Sequence, residues 1–216
     1  VAKAQSKTPA YQQNAVQVIA FQQTWNTIAK ECTNTYGPEG VAYVEVSPLQ
    51  ESIQGTQWWT SYQPVSYKLD SKLGTEAEFK NMVQQCSAAG VGIIADVVLN
   101  QTTGADVAAG DQKGVAGSEY NGSTGSYPGF ATKQYPDGIT AADFHSCTKN
   151  ISDYTNQKEV QECRLSSMWD FNSESEKVQD IQSDYLASLW NAGVRGFRMD
   201  AVKHIHTDSM KAIKEK

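Results

Sequence analysis

No stretch of this sequence stays apolar for long. The longest hydrophobic runs, such as VGIIADVVL at 91–99, fall far short of the roughly 20 residues that a helix needs to cross a bilayer, so no membrane-spanning segment is expected. Basic charge is also scarce. Lys and Arg number 18 against 24 Asp and Glu, the net charge is −6, and the cations are scattered, which leaves no stripe for phosphates and makes nucleic acid an unexpected partner. No Gly-x-Gly-x-x-Gly turn follows the first strand-like segment, which removes the usual dinucleotide-binding signature. Internal repeats and low-complexity tracts are missing too. Residue 1 is Val and no charged-then-apolar leader precedes it, so the N-terminus is expected to be processed or cut from a longer chain.

What is present is the composition of a chain that folds. The 216 residues are 39% hydrophobic and 10% aromatic, enough for one good core or for a domain carrying a large insertion. Four cysteines allow three pairings. Cys147 and Cys163 flank a polar segment and would close a loop of about 15 residues, stabilising it by about 3 kcal/mol. Cys32 and Cys86 each fall on a helix-like stretch that follows a strand. Glycosylation triplets begin at Asn100, Asn121 and Asn150 and agree with secretion.

Strand-like and helix-like segments alternate. AVQVIAF (15–21) is short and β-branched, and TWNTIAKECTNTYG after it has apolar residues at helical spacing and stops at Gly37. GVAYVEVSP (40–48) is a second strand, followed by a helix from a Thr75 cap to Gly90. VGIIADVVLN (91–100) is a third, apolar on both faces as parallel strands covered by helices tend to be. The period then vanishes from Gln101 to about Ser167, a length better read as an inserted subdomain than as a loop. A helix over 175–193, the strand VRGFRMD (194–200) and one more helix from Thr207 complete the pattern.

Four βα units suit either a doubly wound sheet or part of an eight-stranded barrel, and the missing glycine fingerprint favours the barrel. The expected fold is α/β, a partial (β/α)8 barrel: residues 1–99 supply strands one to three, 100–169 the insertion and 170–216 the fourth strand region. Chemistry belongs at the C-terminal strand ends, where the sequence places Glu45, Asp96 with Asn100, and Arg198 with Asp200. Arg198 and Asp200 stand two apart on a strand, so they project to one face. A guanidinium there lowers the carboxylate's pKa and orients it, as a nucleophile attacking an anomeric carbon requires. Spacing alone favours a structural ion pair at a barrel rim over that role.

DVVLNQ (96–101) and GFRMDAVKH (196–204), together with WWTSYQPVSYKL (58–69) and ECRLSSMWDFN (162–172), resemble, in order, four segments of the α-amylases, retaining glycoside hydrolases of the animal and actinobacterial branch. The resemblance covers nearly the whole chain after about residue 14, and the cysteines stand where that branch pairs them. It implies endo-hydrolysis of α-1,4-glucosidic bonds in starch or glycogen, with an α-glucan polysaccharide or oligosaccharide as the partner and secretion as the destination. Asp200 is then the nucleophile, Arg198 holds it and Asp96 supports Arg198. Trp58, Trp59 and Tyr62 match the family's aromatic wall, and Gln63, Lys203 and His204 match positions lining its cleft.

The resemblance also implies a structural Ca²⁺ held by the side chains of Asn100 and Asp170 and the backbone carbonyls of Gln161 and His204, all hard oxygen donors. A buried ligand cannot carry a glycan, which discounts the triplet at Asn100. For the chloride that some members use, only Arg198 is matched, so chloride is left undecided. Two departures matter. The first motif usually ends in His, and Gln101 stands there, an amide that cannot become cationic. The family's general acid is a Glu on the fifth strand, and none of Glu45, Glu51 or Asp170 sits in a segment like it, so these 216 residues alone are expected to be inactive. Two other readings follow: a truncated, non-catalytic carbohydrate-binding paralogue, marked by Gln101, or a related transglycosylase or α-glucosidase. The unpaired edges of a four-stranded piece predict self-association or pairing with a missing C-terminal half.

Overall fold

A computed structural model describes residues 15–106 and 110–216, so the first fourteen residues of the expected 1–99 barrel part and residues 107–109 of the insertion lie outside the described residues. In chain order the strands are β1 (Gln17–Ala20), β2 (Tyr43–Val46), β3 (Gly92–Val97), β4 (Gln101–Gly104), β5 (Gln112–Lys113), β6 (Glu119–Tyr120), β7 (Met168–Asp170) and β8 (Gly196–Met199). The α-helices are α1 (Trp25–Glu31), α2 (Glu76–Ala88), α3 (Gln157–Glu162), α4 (Glu176–Ala192) and α5 (Thr207–Glu215). Among the described residues no helix is long and apolar enough to cross a membrane.

Two compact units form. The first gathers the described residues up to Leu49 with Leu69–Val97 and Ala187–Arg198. Its sheet has the order β1-β2-β3-β8, with β1–β2 and β2–β3 parallel and Val44 opposite Ile93. Alternation along the strands separates two faces. Val44, Val46, Ile93, Ala95 and Val97 are buried, whereas Tyr43, Glu45 and Ile94 on the other face are half-buried and Asp96 closes that face at the end of β3. The third strand therefore carries chemistry on one face, which its continuous apolar sequence conceals.

Local signals set the helices of this unit. Thr24 caps α1, and Thr75 with Glu78 forms a reciprocal capping box at α2, each satisfying backbone N–H groups that a helix start leaves without partners. The helix expected to run to Gly37 is α-helical only to Glu31 and finishes as a π-type turn, Cys32–Tyr36. Cys32 pairs with Cys86 across a separation of 54 residues, a closure that stabilises by about 4 kcal/mol in the chain-entropy account. Trp25 is fully buried, its backbone N–H donates to the Leu73 carbonyl, and its ring lies where a Cβ on Gly74 would stand. Gly74→Ala is expected to cost about 1–3 kcal/mol by overpacking, read as a lower midpoint in urea with an unchanged slope.

The second unit gathers Gln50–Lys68, Val98–Leu186 and Met199–Lys216. The expected irregular insertion has small antiparallel pairs, β4 with β7 and β5 with β6, around an aromatic core of Tyr127, Phe130, Phe144 and Phe171. The Cys147–Cys163 disulfide closes its outer loop. Glu159 of α3 holds that loop from within, accepting hydrogen bonds from the Ser152 N–H (2.7 Å), the Ser152 hydroxyl (2.9 Å) and the Asp153 N–H (3.2 Å). These donors hold its carboxyl down at about 2. A depressed carboxyl stabilises the fold above its ordinary value near 4.5 and loses that contribution as pH falls toward about 2. Glu159→Gln should therefore melt lower than the parent at neutral pH, the two curves of melting temperature against pH converging at the acid end.

Candidate active site

Within the first unit, the polar face of the sheet ends in a row of charges. Arg198 of β8 donates from Nη1 to Oδ1 of Asp96 on β3 at 2.9 Å, and its Nε lies 4.0 Å from Oε1 of Glu45 on β2. Glu45 in turn accepts from the Gln17 amide on β1 at 3.1 Å. Asp96 is buried and Arg198 is partly exposed. Gly196 contributes by being small: a Cβ there would come within 3.1 Å of Ile94.

Asp200 follows β8 directly, half-buried in a turn. The next residue, Ala201, has φ 47° and ψ 32°, a left-handed conformation that costs a non-glycine residue about 1 kcal/mol. A single 3-10 turn, Val202–His204, then brings the His204 ring into the interior of the second unit. Its Nδ1 donates to the carbonyl of Val160 at 2.9 Å. That bond joins the segment of His204 to α3 beside Gln161. Lys203 instead faces Tyr154, its Nζ 5.1 Å from the ring centre.

The aromatic positions lie on another 3-10 turn, Trp58–Tyr62. Trp58 is 56% and Trp59 45% exposed, and Trp58 meets Tyr62 edge-on at 5.9 Å. Strand β4 fastens the C-terminal end of this turn. The Gln101 amide donates to the Tyr62 carbonyl at 3.0 Å, and the Gly104 N–H donates to Oε1 of Gln63 at 3.1 Å. Gln101 is thus a buried strut holding the aromatic turn, and its Oε1 is buried with no hydrogen-bond partner.

The four residues expected to hold a cation all belong to the second unit. The β4–β7 ladder pairs Gln101 with Asp170, and the Phe171 N–H donates to the Asn100 carbonyl at 3.1 Å, so Asn100 is brought beside Asp170. Oδ2 of Asp170 accepts from Nδ1 of His145 at 2.6 Å, whereas Oδ1 is buried without a hydrogen bond, as is Nδ2 of Asn100. Burial pushes the Asp170 carboxyl up to about 6 against the pull of His145. Asn100 is buried, so its glycosylation triplet is inaccessible in the folded chain. The Asn150 side chain is exposed but holds Ser167 through both its amide nitrogen and its oxygen.

Sequence reasoning missed a further cluster next to Asp170. Nε2 of His145 lies 2.8 Å from Oε2 of Glu174, and Nε2 of His206 lies 2.8 Å from Oε1 of the same residue. Nothing in their sequence spacing marks these three as neighbours. Glu51, weighed only as a candidate acid, is fully buried and committed to Ser66, Ala116 N–H and Ser118 N–H.

A family model described as alpha amylase, catalytic domain, matches residues 40–215. The chain belongs to the α-amylase family. Its fold is accordingly a partial (β/α)8 barrel with the insertion after the third strand. An α-amylase of Streptomyces violaceus is 38% identical over 201 residues, covering 93% of this chain and 33% of that protein. An alpha-amylase-related protein of Drosophila ercepeae is 42% identical over 199 residues, covering 91% and 38%. The crystal structure of α-amylase I from Eisenia fetida superposes with a TM-score of 0.84 at 35% identity, over 92% of this chain and 40% of that one. The chain therefore spans between a third and two fifths of the length of these α-amylases.

Proposed function

We propose that this chain is the N-terminal portion of a secreted α-amylase that cleaves internal α-1,4-glucosidic bonds of starch or glycogen with retention. The observation that carries the reading is the Arg198–Asp96 ion pair at the strand ends, which fixes the strand that delivers Asp200. In this reading Asp200 attacks the anomeric carbon to form a glycosyl-enzyme, as retaining enzymes do between two carboxyl groups about 5–5.5 Å apart. Trp58, Trp59 and Tyr62 offer rings to the apolar faces of the sugars, with Gln63 next to them in the chain, Gln101 bracing the turn and Lys203, matched to a cleft position, held over Tyr154. His204 serves through its hold on Val160 rather than through a sugar contact. The two disulfides suit an oxidising, extracellular setting.

A structural calcium ion fits the residues present. The buried Oδ1 of Asp170, which makes no hydrogen bond, is what an oxygen-ligated cation would complete, with the side-chain oxygen of Asn100 and carbonyls from Gln161 and His204 as further donors. When bound, the ion supplies no chemistry beyond tying these segments together, so its binding free energy adds to folding.

The test compares these 216 residues with the complete coding sequence on soluble starch. The complete protein should release reducing ends with α-anomeric configuration, and the 216 residues should not, because losing a general acid costs roughly 10²–10⁴-fold. Starch binding without turnover by the complete protein would favour the carbohydrate-binding reading instead. Val16 and Ile19, exposed around β1, offer apolar surface to further barrel strands or to a second copy.

A further inference from the structure

We propose that His145, Glu174 and His206 form a binding site for a divalent transition-metal ion, zinc foremost, distinct from the calcium position at Asn100 and Asp170. All three residues lie in the second unit, and their ligand atoms fall within 4.8 Å of one another. Oε1 of Glu162 lies 3.5 Å from Nε2 of His206 and offers a fourth oxygen. Two imidazoles with one or two carboxylates suit zinc, copper or nickel, whereas calcium takes oxygen ligands.

Three details point beyond a hydrogen-bond chain. The Asp170 carboxylate accepts from Nδ1 of His145 at 2.6 Å and fixes the ring, so a cation at Nε2 displaces only the proton that this nitrogen shares with Glu174. This carboxylate–histidine arrangement is the support that metal-bound histidines ordinarily have. Nε2 of His206 is buried and stands 2.8 Å from Glu174, yet it is too poorly aligned to hydrogen-bond to it. The spacing is also close to what an ion needs. With Zn–N near 2.0–2.1 Å, tetrahedral ligands sit about 3.3 Å apart, so each 2.8 Å gap to a Glu174 oxygen opens by about half an ångström while the widest pair of ligand atoms, within 4.8 Å, closes. Glu174 is 44% exposed and can make that adjustment. The buried carboxylate of Asp170 would then face both ions, Oδ2 supporting His145 and Oδ1 turned to the calcium position.

The experiment titrates ZnCl₂ into the protein held in saturating CaCl₂, followed by calorimetry and by ¹⁵N shifts of the three histidine rings. One equivalent should bind, shifting Nε2 of His145 and His206 while His204, buried on Val160, stays still. Co²⁺ in place of zinc should give the intense visible bands of a four-coordinate site. His206→Gln and Glu174→Gln should each weaken zinc by about tenfold or more. The exposed Glu174 makes its variant the one that keeps the fold, with near-ultraviolet circular dichroism as the check. The proposal is overturned if no equivalent binds, if both variants bind as the parent does, or if the apparent zinc affinity falls in proportion as calcium is raised further, which would place zinc at the calcium position.

Discussion

Asp200→Asn in the complete protein should lower kcat on starch by roughly 10⁴-fold or more, the scale on which removing a nucleophile acts. An amide cannot form the glycosyl-enzyme, and the remaining contacts cannot supply a second route of similar rate. On the proposed reading substrate affinity should change by only about threefold, because sugar contacts to the aromatic turn would be made before bond cleavage and would survive in the variant. Asp96→Asn should behave differently. Asp96 is buried and holds Arg198 at 2.9 Å, so removing its charge weakens that buried pair and lowers both melting temperature and kcat. The contrast separates a group that reacts from one that positions. An Asp200→Asn enzyme retaining a few per cent of the parent rate, or a trapped glycosyl group found on another side chain, would remove Asp200 from the reaction.

The parts of this fold legible in the sequence are those set by neighbours along the chain. Short strand-like runs marked the four strands of the first unit's sheet, and Thr75 marked the start of α2, because a cap acts within its own first turn. The insertion was legible only as an interruption. Its ladder pairs Gln101 with Asp170, partners far apart in sequence, and no periodicity forecasts such pairing. The same limit applied to the sites. Arg198 and Asp96 were marked by motif, yet Gln101 carries no local sign that its amide would brace the Tyr62 carbonyl. His145 and Glu174 stand 29 residues apart, and only the fold makes them neighbours.

Calcium should raise the melting temperature of the parent by about 10 °C at concentrations near a thousand times its dissociation constant, and Asp170→Asn should remove most of that rise. The magnitude follows from linkage. A ligand at a thousandfold excess stabilises by about 4 kcal/mol, and each kcal/mol moves a chain of this size by about 2–4 °C. The residue follows from burial. Asp170 keeps one carboxylate oxygen hidden from water and from every donor, a cost of several kcal/mol for a charged group unless a cation meets it. An amide at that position still fills the space, but it brings no charge and a weaker oxygen. Chelation should therefore destabilise the parent strongly and the variant little, leaving the two closer in EDTA than in calcium. The clearest measurement is a set of melting curves at fixed pH with calcium varied over several decades, where the slope of midpoint against log concentration reports ions bound on folding. An equal slope for both proteins would put the ion elsewhere and leave the unpaired oxygen of Asp170 without the partner assigned to it.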